Sequence, residues 1–292
     1  MKYNLSKNWA ATFQALTQKP AILLPFFIIA FMEGIALELI YFSARKPLAI
    51  IASPIVRKFF GESYVHYPGN LVLLPKLFFY AQIVIYIFVS VFLMSIAIQI
   101  YKNTRMSLPV VTGALVKNSL KRYAALFVYA VIVIGLILAM QKLDVLVFSK
   151  ISRLVMKYIP ALSNTLAPTI FALGSVVFLF VSHILIYTFL LPTLAFIIVN
   201  GKPLWKAIWS SLCFGIRNFS TVFLLIFMPF LFYLPLSIVK SLSLTIMDKT
   251  FPEINLYIST LSILISAFVD CFFVIAVTQF VLDRSDLETK KR

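Results

Sequence analysis

The sequence predicts an all-α polytopic membrane protein, with six transmembrane helices arranged as three hairpins, each preceded by an amphipathic helix at the membrane interface. Three observations lead there. Apolar runs of about 20 residues, long enough to cross ~30 Å of hydrocarbon as helix, recur along the chain. The composition is 62% hydrophobic and only 12% charged, with a mean hydropathy of +1.00. A soluble domain is about 45–50% apolar and about a quarter charged, so lipid must take up the excess. Finally, one junction occurs three times: an amphipathic stretch with a basic end runs into a long apolar span at Trp9-to-Phe26, Val111-to-Phe127 and Trp205-to-Phe223. A second apolar span then returns and stops at Tyr101, Asn200 and Asp283. Closed β-barrels, the other spanning solution, would show alternating segments of about 10 residues, and this chain has none.

Taken in order, the predicted spans are residues 21–42, 77–101, 123–141, 169–199, 219–239 and 256–282. The fourth is long enough to tilt or to kink at Pro192, and the fifth bends at Pro229 and Pro235, because proline removes a helix hydrogen bond and crowds the preceding turn. Between spans, residues 48–59 place Leu48, Ile51, Ala52, Ile55 and Phe59 at helical spacing, with Arg57 and Lys58 turned away. Residues 147–158 repeat that pattern with Lys150, Arg153 and Lys157 on the polar face. Both read as interfacial helices. With no Gly/Ser linker, residues 1–292 form one domain, built of repeat units at about 4–101, 105–200 and 202–283.

Units two and three align at an offset of 96 residues: Ala114 falls on Ser210, Leu120 on Ile216, Lys121 on Arg217, Tyr123 on Phe219 and Phe127 on Phe223. The first junction fits more loosely, with Trp9, Phe13 and Leu16 on one face. Trp9, Trp205 and Trp209 are the expected interfacial anchors, since an indole ring satisfies both its apolar body and its N–H at headgroup level.

The segment LLPTLAFIIVNGKPLWKAIWSSLCFGIRNF, residues 190–219, resembles a signature of a broad group of six-span bacterial membrane proteins. In that group a Pro-containing span crosses a short polar turn into a surface helix with an A-x-x-x-S pattern, carried here by Ala207 and Ser211. The group includes the membrane domain of some glycerophosphodiester phosphodiesterases and related stand-alone proteins. Residues 104–123 are a fainter copy. The resemblance implies a fold and almost no chemistry, and no His/Glu/Asp-rich soluble region that would be a phosphodiesterase domain is present.

The net charge of +16 falls between the spans rather than in one tract, which points to lipid phosphates and not to nucleic acid. Membrane lipids are the expected partners. Cys213 and Cys271 fall on a surface helix and inside the last span, so no disulfide is expected. No C-x-x-C or H-E-x-x-H pattern exists to hold a metal, no G-x-S-x-G or phosphate loop to carry out catalysis, and no cofactor is expected. The 29 phenylalanines read as packing and lipid-facing bulk. Residues 21–42 are too long for the apolar core of a signal peptide, so the first span is expected to stay in the mature protein.

The sharpest candidates for function are ionisable groups inside spans, because each is costly in hydrocarbon and usually faces the bundle interior. They are Glu33 in span 1, His183 in span 4 and Asp270 in span 6. Together they would make a polar cluster able to relay protons or bind a cation; the favoured alternative is a structural role, with Glu33 and Asp270 hydrogen-bonded to Ser, Tyr or Gln of neighbouring spans. Asp270 is the one Asp clearly inside a predicted span, which argues against an aspartyl dyad. Three functional classes follow: a non-enzymatic protein that organises lipid or serves as the membrane subunit of an envelope complex, a small-molecule or ion transporter or channel, and a lipid-acting enzyme. The first is favoured by the interfacial helices and the missing catalytic motifs.

Lys and Arg outside the spans number 15 on the side that holds both termini and 11 on the other. The positive-inside bias therefore predicts cytoplasmic termini in the cell (cytoplasmic) membrane. Reporter fusions at Arg292 and in the Lys150 region are expected to register opposite compartments; agreement between them would mean that the span count is wrong.

Overall fold

A computed structural model describes residues 5–43, 48–67, 69–158, 167–242 and 253–289, and among these there are helices and no strands. The first unit contains α1 (Leu5–Gln18), α2 (Leu24–Phe42), α3 (Ala49–Phe60), α4 (Gly69–Ile85) and α5 (Val91–Arg105). A single π turn, Tyr86–Ser90, joins α4 to α5 into one 37-residue passage. The second unit contains α6 (Thr112–Lys121), α7 (Tyr123–Tyr158), α8 (Ala167–Leu190) and α9 (Pro192–Ile198). The third contains α10 (Leu204–Arg217), α11 (Phe219–Phe230), α12 (Tyr233–Leu242) and α13 (Ile254–Thr289).

Five segments are long and apolar enough to cross a membrane, and six if the bent pair α10 and α11 counts as one. There α11 leaves α10 at 94°, stops at Phe230 just past Pro229, and resumes as α12 two residues on. Pro192 likewise opens α9 after a one-residue break. The expected interfacial helix at 147–158 does not stand alone. It continues α7, a 36-residue rod about 54 Å long at 1.5 Å per residue, because no proline or glycine interrupts residues 142–158. The helix expected at 48–59 is α3.

The three units are arranged alike. Their return spans, ending in α5, α9 and α13, touch one another pairwise along the centre. Their inner ends hold the densest burial, over Ile96–Tyr101, Leu190–Ile198 and Phe273–Leu282. Each surface helix packs on the return span of the preceding unit: α6 on α5, α10 on α9 and α8, and α1 on α13, which closes a ring.

Small or polar residues stand at the close contacts of each surface helix. α10 buries Ala207, Ser211 and Gly215, and the Ser211 Oγ donates to the Phe189 carbonyl at 2.6 Å. α6 buries Leu115 and Ser119, and the Ser119 Oγ lies 2.7 Å from both the Ser95 hydroxyl and the Gln99 amide. α1 buries Asn8 and Thr12, whose side chains reach the Ala276 carbonyl at 3.4 Å and the Gln279 Oε1 at 3.1 Å. Small residues let backbones approach, and a hydroxyl aimed at a neighbouring helix is satisfied where water is absent. The 96-residue offset holds in three dimensions: Leu115 and Ser119 occupy the buried positions of Ser211 and Gly215, while Leu120 and Ile216 are 62% and 70% exposed.

Gly215 tests this packing. A Cβ there would meet the Phe189 ring at 2.9 Å and the Thr188 carbonyl at 3.3 Å, whereas one at Gly113 would meet nothing within 4 Å. Gly215→Leu is expected to destabilise the purified protein by about 1–3 kcal/mol, and Gly113→Leu to be neutral or mildly stabilising, as read by thermal unfolding in detergent. Equal effects would show that α10 does not pack closely on α8.

Candidate functional site

Two of the three intramembrane candidates come together. Glu33, half-buried on α2, accepts a hydrogen bond from the Gln82 amide of α4 at 3.1 Å, and lies within electrostatic reach of Asp270 on α13. The surroundings of Asp270 are phenolic. Tyr86 in the π turn, Tyr187 on α8 and Tyr233 on α12 all feel its carboxylate, and the Tyr86 and Tyr187 hydroxyls interact with each other. Tyr129 of α7, fully buried, adjoins both of these tyrosines, and its hydroxyl has no hydrogen-bond partner among the described residues. Ser266, one helical turn before Asp270, interacts with Tyr233.

Every passage therefore supplies a polar side chain to one belt: Glu33, Gln82 and Tyr86, Tyr129, Tyr187, Tyr233, and Asp270. An aromatic wall adjoins it. The Phe230 ring lies 5.4 Å from Phe273 and 5.7 Å from both Tyr187 and Tyr233, and Tyr187 lies 5.6 Å from Phe273. The π turn matters here because its widened register aims Tyr86 at the belt, and π turns recur at functional positions in helices. Chemically, two carboxylates among phenols and a primary amide can share protons and hydrogen bonds.

His183 is placed elsewhere. Its Nδ1 lies 2.6 Å from the Leu179 carbonyl of its own helix, and among the described residues no hydrogen bond or ion pair joins it to Glu33 or Asp270. Tyr187, one turn further along α8, lies 5.6 Å from Phe273 of α13 and within reach of the Asp270 carboxylate, where the histidine was expected.

A third acid was missed. Asp144 lies within α7, is 6% exposed, and accepts a 2.6 Å hydrogen bond from Ser175 of α8. The signal for it was the apolar run Val145–Phe148, which resumes after Asp144 and so extends the span. The belt tyrosines were also legible in principle, since Tyr favours the interfaces and a mid-span Tyr needs a polar partner.

The tryptophans divide. Trp205 and Trp209 are 72% and 69% exposed and share the outward face of α10 with Ile216, opposite Ala207 and Ser211. They point away from the protein and do not cover the ends of its spans. Trp9 instead packs against the core with its indole nitrogen buried, while Phe13 of the same helix is exposed. The N-terminal helix thus rotates its tryptophan inward to cover α13.

Among the described residues no group of three His, Cys, Asp or Glu side chains is arranged to hold a metal ion. No protein-family model matches the chain, nor does any curated protein or solved structure.

Glu33→Ala would leave the Gln82 amide without its partner and is expected to cost about 1–3 kcal/mol, whereas Glu33→Gln preserves a hydrogen-bond acceptor and costs less. Thermal unfolding of the two variants checks this. Identical losses would mean that the Glu33–Gln82 bond contributes nothing.

Proposed function

We propose that this is a non-enzymatic multi-pass protein of the cytoplasmic membrane that organises anionic lipid in the leaflet next to its termini. One observation carries the reading. The outward face of α10 presents Trp205, Trp209 and Ile216, while its small face is fixed to the bundle. A face of that size and chemistry belongs at the acyl–headgroup boundary. Lys206 and Arg217 on the same helix are exposed and available to lipid phosphates. The resemblance to the membrane domain of glycerophosphodiester phosphodiesterases is part of the same proposal, as are the cytoplasmic termini.

Transport of a small molecule or ion is the second reading, favoured by the convergence of side chains from every passage near Asp270. Glu33 is held by the Gln82 amide and Tyr86 by Tyr187, bonds within the protein that support a structural role for the belt.

Extraction of the protein in polymer-bounded membrane discs, followed by lipid mass spectrometry, tests the first reading. Anionic lipid is expected to be enriched over the bulk membrane, and the Trp205→Glu/Trp209→Glu double variant is expected to lose that enrichment. A disc composition equal to the bulk membrane would defeat the lipid-organising reading. Proton-coupled flux in proteoliposomes that disappears in Asp270→Asn would put transport in its place.

A further inference from the structure

The repeated packing leaves a cleft beside α6 and another beside α10, and the three units differ in charge. In the first unit a basic side chain is paired with the chain's own anion. Arg105 reaches Asp283 at 2.8 Å and the Gln279 carbonyl at 3.4 Å. In the second, a cleft of about 780 Å³ opens between α5, α6 and the turn at 198–201. Lys102, Lys121 and Arg122 are the charged residues of its lining, and among the described residues no acid lines it. In the third, a cleft of about 420 Å³ between α10, Asn200 and α13 is lined by Lys202, Arg217 and Arg284, with no acid among the described residues.

Both open clefts hold a buried arginine nitrogen with no hydrogen-bond partner among the described residues: Nη1 of Arg122 and Nε of Arg284. A buried guanidinium N–H is costly to leave unpaired. Around Arg122 the backbone makes room. Gly201 adopts φ +69°, which favours glycine, and a Cβ there would stand 3.4 Å from Nη2. Lys102 is braced by a 3.1 Å bond from its Nζ to the Val199 carbonyl and has further N–H donors to offer.

We propose that the cleft between α5, α6 and the 198–201 turn is a binding site for a phosphate-bearing ligand, held by Arg122 with Lys102 and Lys121. The guanidinium supplies forked donors that match a phosphate, and the two ammonium groups supply point charges. Leu108, Val111 and Leu115 give the same cleft an apolar side, suited to a glycerol or acyl end. The third-unit cleft is its counterpart, because Lys121 and Arg217 occupy aligned positions in the two. The inference does not depend on lipid enrichment by α10.

The test uses the full-length protein in maltoside micelles, which carry no phosphate, titrated separately with inorganic phosphate and with dioctanoyl phosphatidic acid at constant ionic strength. A saturable rise in Tm is expected with at least one probe. Arg122→Gln is expected to weaken it by roughly tenfold or more, the loss of one charge-assisted hydrogen bond, and Lys142→Gln, exposed on α7 and outside both clefts, to leave it unchanged. Stabilisation by phosphatidic acid alone would identify a lipid headgroup as the source; stabilisation by both probes would identify phosphate itself as sufficient. Should Arg122→Gln fail to fold, Arg122→Lys and Lys102→Gln carry the same comparison against Lys142→Gln. No saturable shift with either probe, or equal weakening by the cleft and Lys142 variants, would overturn the site. Because the micelles contain no membrane lipid, this result stands or falls separately from the lipid-enrichment experiment.

Discussion

The architecture depends on one kind of contact, a buried polar side chain that ties each surface helix to the return span of the preceding unit. Thr12 with Gln279, Ser119 with Ser95 and Gln99, and Ser211 with the Phe189 carbonyl are three versions of it. In hydrocarbon there is no apolar driving force to bring helices together, so close approach of small residues and satisfied hydroxyls must supply the attraction. Helix α10 accordingly inverts the usual amphipathic order. On α10, the small and hydroxylated residues face the protein, and the tryptophans face outward.

Fixing the surface helices in this way fixes the return spans at the centre, and the centre explains the polar belt. Once α5, α9 and α13 touch one another, the outer passages α2, α7 and α11 can only pack in the grooves between neighbouring return spans. Every passage then comes within reach of the region around Asp270. A lone charge in hydrocarbon is costly, and the phenols of Tyr86, Tyr187 and Tyr233 near Asp270 make its surroundings polar without adding charge. Gln82 does the same for Glu33.

Much of the architecture was legible because the boundary between lipid and headgroup leaves a sharp record in a sequence. The three junctions, the break at Pro192 and the break after Pro229 all follow from where apolar runs begin and where proline interrupts them. Direction around a helix was harder to read. Apolarity marks a lipid-facing side chain and a core-facing one equally, so Trp9 and Trp205 looked alike although one packs inward and the other does not. The same ambiguity hid Asp144, whose neighbours Lys142 and Leu143 look like a span end until the partner Ser175 is in place. It also made His183 look like a partner for the acids, when a single turn of α8 decides that Tyr187 faces them instead.

The closure of the ring by α1 on α13 has a consequence for biogenesis. Helix α1 is made first, yet the surface that covers Asn8 and Thr12 lies at Ala276 and Gln279, more than 260 residues downstream. During synthesis the leading helix must wait at the interface with its polar face unmatched while the intervening passages insert. The fold is therefore sealed by the last passage to emerge, and a nascent chain arrested before it carries an unsatisfied polar face that distinguishes it from the finished protein. Quality control of a membrane protein could recognise such a face directly.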